Sequence, residues 1–173
     1  MARYALIYGI LSGLLIIVVI VAAMGIGAVG HSLWFGYLVM LLGMTFIFVG
    51  VKRYRDVERG GVVGFWRALG VAMGIAAVAL VAYVALWELY LALTHYTFMD
   101  EFTAGMIRRA EERGVTGDAL AQLKREALNM RFLYSRPLIR MAMTAAEPMP
   151  VAVPIAIFSA ALLRFPRVLP ARR

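Results

Sequence analysis

Three ionisable residues sit inside stretches that are otherwise apolar: Glu88, Arg140 and Glu147. Charge in such surroundings is costly unless it is paired or lines a polar cavity, so each is a candidate for chemistry. Glu88 follows Trp87 and lies roughly 10 Å from His95 along a helix. Arg140 stands one helical turn after Pro137. The two share an expected depth, which predicts a Glu88–Arg140 contact. Such a pair either locks two helices together or lines a polar cavity, and residue types leave both readings open. Glu147 lies roughly 15 Å along a helix from Pro137, near the middle of its apolar stretch. Pro148, Pro150 and Pro154 follow it. A proline has no N–H to donate and disturbs the preceding turn, which frees carbonyl groups beside the carboxyl. That combination suits a proton-coupled or ligand-binding site. The structural alternative is a Glu hydrogen-bonded to a neighbouring helix beside a kink.

A second cluster is basic. Lys52, Arg53, Arg55 and Arg59 lie in a loop predicted over residues 52–61, interleaved with Asp56 and Glu58 and closed by Gly60 and Gly61. The glycines allow a tight re-entry into the next apolar stretch. The cations serve as an anchor that holds this loop in the cytoplasm, as a contact for lipid headgroups, or as a contact for a partner.

Other chemistries lack their residues. Cysteine is absent, so there is no thiolate metal site and no disulfide framework. His31 and His95 both fall near the outer interface, and two histidines make a poor metal site. No nucleophile elbow, phosphate loop, dinucleotide fingerprint or H-E-x-x-H motif is present. No catalytic residue, no metal and no cofactor are expected.

The elements that position these residues follow from composition. Of 173 residues 63% are hydrophobic, and the mean hydropathy is +0.82. A water-soluble domain is nearer half apolar, so most of this chain must face lipid. Roughly 20 apolar residues span the hydrocarbon as a helix. Four stretches qualify: about 5–29, 32–51, 62–93 and 137–163. The first has Arg3 before it, as a signal peptide would. Its apolar run is long and lacks an A-x-A site, so it is expected to stay. The expected fold is therefore all-α: a polytopic membrane protein with four transmembrane helices in a single membrane domain, 1–173.

Charge sets the expected orientation. With the N-terminus inside, the inner side carries Arg3, the 52–59 cluster, and Arg164, Arg167, Arg172 and Arg173. The link Gly30-His31-Ser32 outside has no Lys or Arg. Both termini are thus expected in the cytoplasm. The net charge of +8 sits at the ends of apolar runs and forms no basic face, so nucleic acid is not an expected partner.

Between the third and fourth spans, residues 98–134 are expected to form an extramembrane helical hairpin. Phe98, Phe102, Met106 and Ala110 make one stripe, and Leu120, Leu123, Ala127, Met130 and Tyr134 make another. Gly114 suits the end of the first helix, and Thr116 suits the N-cap of the second. Glycines mark close helix contacts: Gly9 with Gly13, Gly70 with Gly74, and Gly36, Gly43 and Gly50 at intervals of seven. They serve packing within the bundle or a homodimer face.

Phe48-Val49-Gly50-Val51-Lys52-Arg53-Tyr54-Arg55-Asp56, then Gly60-Gly61, Phe65-Trp66-Arg67-Ala68 and Trp87-Glu88 form a distinctive series. Phe98-Met99-Asp100 and the Pro-rich stretch after Glu147 continue it. With these motifs the chain resembles, over nearly its whole length, the bacterial membrane proteins grouped as domain of unknown function 4199. The resemblance implies a four-span inner-membrane protein and transfers no catalytic residue.

The expected role is a non-enzymatic accessory or assembly module of the bacterial inner membrane. Its expected partners are the lipid bilayer and either a second copy or another membrane protein. One alternative is a small proton-coupled transporter working as a dimer around Glu147 or Glu88. A second is a lipid-acting enzyme, which needs several polar groups converging at one depth.

Overall fold

The computed structural model describes residues 1–25, 33–167 and 169–170. Among these the chain is all-helical: α1 (Ala2–Gly25), α2 (Leu33–Glu58), α3 (Phe65–Leu93), α4 (Phe98–Glu112), α5 (Gly117–Tyr134), α6 (Pro137–Ala146) and α7 (Met149–Leu163). Helices α1, α2 and α3 are each long and apolar enough to cross a membrane. The bent pair α6 and α7 passes the same test only when taken together, as a broken span or a re-entrant loop. The expected outer link containing His31 lies outside the described residues, as do Arg172 and Arg173.

Two sequence expectations need correction. The stretch 137–163 is not one helix. It breaks at Glu147 and Pro148, where α6 and α7 are bent by 42°. Pro148 and Pro150 each remove a backbone donor and disfavour helical geometry in the residue before them, so the ladder cannot run through. The stretch 52–61 is not a loop over most of its length. Helix α2 continues to Glu58, because its residues form helix well and Lys52 bridges Asp56 one turn on at 2.6 Å. Gly60 and Gly61 then end it, with φ of 59° and 90°, which an L side chain adopts only under strain.

The chain forms two compact units. Unit 1 is Met1–Leu86 with Ala145–Arg173, and unit 2 is Trp87–Thr144.

In unit 1, α1 runs antiparallel to α2. Tyr4 packs edge-on against Tyr54, and Ser12 Oγ donates to the Gly43 carbonyl at 2.8 Å. Helix α1 runs alongside α3 in the same direction. A Cβ added at Gly9 would lie 2.8 Å from the Ile75 carbonyl oxygen, and one at Gly13 would lie 2.9 Å from that of Ala79. The glycine pair of α1 therefore lets two backbones touch, the form that close packing takes where lipid removes any hydrophobic drive between helices. Gly50 marks where three helices meet, since its added Cβ would strike Ile75 Cδ1 and the Tyr8 ring. Gly70 faces open space, and so does Gly36. Helix α7 packs on α2, and its Ala152, Ala156 and Ala160, one small residue per turn, are fully buried.

In unit 2, α4 and α5 run antiparallel. Lys124 meets Glu111 at 3.1 Å near the turn, and Arg131 meets Asp100 at 3.2 Å at the far end. Gly114 has a φ of 79° and follows α4, and Thr116 stands at the N-cap of α5. The buried stripe of α4 is shifted from its expected position: Met99 and Thr103 are buried and Phe102 is exposed. The hydroxyl of Thr103 makes this tolerable. It donates to the Met99 carbonyl at 2.7 Å and accepts from Arg131 Nε at 2.6 Å.

Candidate functional site

The expected ion pair is present in unit 2. Arg140 Nε donates to Glu88 Oε1 at 2.7 Å, and Arg140 Nη2 donates to Oε2 at 2.6 Å. This fork places two parallel charge-assisted bonds on one carboxylate, the strongest arrangement an arginine offers. Its third contact goes from Nη1 to the Tyr134 carbonyl at 3.2 Å. Arg140 is buried and Glu88 nearly so.

Aromatic rings close around the guanidinium. It lies 4.9 Å from the ring centre of Tyr96 and 5.8 Å from that of Tyr134. Trp87 Nε1 donates to the Tyr134 hydroxyl at 2.7 Å, and Phe98 stands edge-on to Trp87 at 4.9 Å. Helix α3 thus supplies Trp87 and Glu88, α4 supplies Phe98, α5 supplies Tyr134, and α6 supplies Arg140. Tyr96 comes from the turn after α3, where His95 and Tyr96 both have positive φ, 53° and 59°. Each such residue costs roughly 1–2 kcal/mol for a side chain with Cβ. The turn is held by the Tyr96 N–H bond to the Leu91 carbonyl at 2.8 Å.

Glu147 falls in unit 1. Its carboxyl accepts a hydrogen bond from the Tyr83 hydroxyl at 3.2 Å. Tyr83 is buried in α3, while Glu147, in the break before α7, is exposed. The expected site of Glu88, Arg140 and Glu147 is thus a pair in one unit and a separate contact in the other. Tyr83 is not among the site residues expected from the sequence. Its signal was a lone hydroxyl inside the aliphatic run of α3. Tyr134 falls in the expected stripe of α5, but spacing does not reveal its contact with Arg140, nor that of Tyr96, which comes from a turn without periodicity.

The basic cluster divides. Arg55 is fully buried; its Nε donates to Asp56 Oδ1 at 2.7 Å and its Nη2 to the Leu169 carbonyl. Lys52 is taken up by Asp56. Only Arg53 and Arg59 of the four are exposed. The expectation that Lys52, Arg53, Arg55 and Arg59 act together at a surface is corrected for Arg55, which anchors the segment after α7. Among the described residues no three His, Cys, Asp or Glu side chains gather as a metal ion would need.

The family described as protein of unknown function (DUF4199) matches residues 3–164. No curated protein and no solved structure matches the chain.

Proposed function

Because this chain belongs to the DUF4199 family, which carries no assigned activity, its role rests on its own geometry, and we propose that it is a non-enzymatic accessory or assembly module of the bacterial inner membrane. It crosses the bilayer four times, through α1, α2, α3 and the α6–α7 pair, with both termini in the cytoplasm. Helices α4 and α5 form the extramembrane hairpin between the third and fourth spans. Trp66 and Trp87 mark the two interfaces. They stand about 31 Å apart along α3 at the rise of an α-helix, close to the thickness of the hydrocarbon.

The observation that carries this reading is that Arg140 occupies both oxygens of Glu88. A carboxylate held by a fork and flanked by aromatic rings locks helix ends together. Both of its oxygens are engaged by the guanidinium, so the pair serves as a structural clamp. Glu147 lies shallow in this frame, since its partner Tyr83 is one turn, about 6 Å, from Trp87 along α3.

Two measurements test the proposal. The chain has no cysteine, so single introduced cysteines are unique probes. Gln122→Cys should react with an impermeant thiol reagent applied outside, and Arg59→Cys and Pro170→Cys only after the inner membrane is opened. Vesicles holding the protein and a pH-sensitive dye decide between module and carrier. The module gives no proton flux. Flux by the wild type that is lost in Glu147→Gln would replace this reading by that of a proton-coupled transporter.

A further inference from the structure

One end of unit 1 gathers cations. Arg3 opens α1, Arg53 lies in the last turns of α2 and Arg59 just after it, Arg67 lies in the first turn of α3, and Arg164 and Arg167 follow α7; all six are exposed. Contacts bring these helix ends together. The Tyr4 hydroxyl donates to Glu58 Oε1 at 3.1 Å, which joins the start of α1 to the end of α2. Arg55 joins α2 to the segment after α7 through the Leu169 carbonyl. The Gly61 N–H bond to the Arg55 carbonyl folds the chain directly from α2 into α3. Little opposing charge is available. Asp56 is bridged by Lys52 and Arg55, and Glu58 is the other acid at this end.

The same end carries an exposed aromatic anchor. Trp66, beside Arg67, is 81% exposed, and the Arg164 guanidinium lies 4.5 Å over the Phe165 ring. The cations border an apolar belt, for Leu6, Ile7 and Ile10 are exposed on α1 just after Arg3. Cations at the rim of an exposed apolar wall, with an exposed indole next to Arg67, match the layering of a lipid leaflet: phosphate outermost, glycerol next, acyl chain beneath.

We propose that this end of unit 1 is a binding surface for anionic phospholipid headgroups, in which Arg3, Arg53, Arg59, Arg67, Arg164 and Arg167 donate to phosphate oxygens and Trp66 sits at glycerol depth. Lys52 and Arg55, basic in sequence, are not part of it, because Asp56 takes up both. The surface rests on the membrane-embedded reading above.

The test uses the full chain purified in uncharged detergent. Bound lipid is counted by native mass spectrometry while phosphatidylglycerol, phosphatidylcholine or inorganic phosphate is added. Wild type should retain phosphatidylglycerol in preference to phosphatidylcholine, with an affinity that falls as salt rises. Removing Arg53, Arg59 and Arg67 together as Gln should weaken binding roughly a hundredfold, at about fivefold per cation. The matching triple Arg→Lys variant should keep most of it. Gln at Arg108, Arg109 and Arg113, in unit 2, should leave it unchanged. If the Gln triple does not fold, the three single Gln variants replace it, each expected about fivefold weaker. The proposal is overturned by wild-type affinity in the Gln variants, by equal loss in the unit 2 control, by no preference between the two lipids, or by inorganic phosphate competing at the same concentration as the lipid. A chain that stays monodisperse in plain buffer would instead sink the membrane reading itself.

Discussion

Arg140 reaches across 52 residues of sequence to hold both carboxylate oxygens of Glu88. The contact joins the end of α3 to the start of α6, and the chain between them, α4 and α5, belongs to the same unit. Removing one partner leaves the other charge buried without compensation. Glu88→Gln and Arg140→Gln should each lower stability by about 2–4 kcal/mol, and the double variant should lose clearly less than their sum. Thermal melts in detergent measure this. Additive losses would mean that the two residues act independently.

Gly13 and Gly70 are predicted to differ. An added Cβ at Gly13 meets Ala82 Cβ at 2.8 Å and a backbone oxygen at 2.9 Å, whereas at Gly70 it meets nothing within 4 Å. Gly13→Ala should cost about 1–3 kcal/mol as α1 and α3 are forced apart. Gly70→Ala should be neutral or raise stability by up to about 1 kcal/mol through helix propensity. Chemical or thermal denaturation of both variants checks the contrast. Equal losses would show that the α1 pair is not the inward one.

The turn after α3 stores strain at His95. His95→Gly should stabilise the protein by about 0.5–1 kcal/mol, because glycine takes a φ of 53° without steric cost. Tyr96→Ala should do the reverse, since it keeps the strain and removes the ring over Arg140. The sign of the melting shift in each variant is the readout.

Arg55 should behave unlike its neighbours. Its guanidinium is fully buried with Asp56 and the Leu169 carbonyl, so Arg55→Gln should destabilise by about 2–4 kcal/mol. Exposed Arg53→Gln and Arg59→Gln should stay within about 0.5 kcal/mol of wild type. Limited proteolysis of the segment after α7 gives a second readout, expected to accelerate only in the Arg55 variant.

The amino-acid sequence by itself determined where the apolar helices lie and which polar residues fall within them. Helix length and composition are local properties, so α1, α2 and α3 could be read from runs without charge. The Glu88–Arg140 pair was also within reach, because two opposite charges at one expected depth have few other ways to be satisfied. Gly114 and Thr116 were legible for the same local reason, as a positive φ and an extended cap are demands on single residues.

Only the tertiary structure decided which faces meet. In a water-soluble helix the buried stripe is apolar and the outer stripe polar, so pattern reveals the inward side. A helix in lipid is apolar all round, and that signal disappears. Gly9 and Gly13 could therefore be named as a contact face without naming α3 as what they contact. Arg55 and Arg53 are the same residue type two positions apart, yet one is buried against Asp56 and Leu169 and the other is exposed. Counting along the stretch from Pro137 names no neighbour for Glu147, and only the structure sets it against Tyr83. Each of these outcomes depends on backbones that approach from distant parts of the chain, and no residue type or spacing within one helix encodes its neighbour.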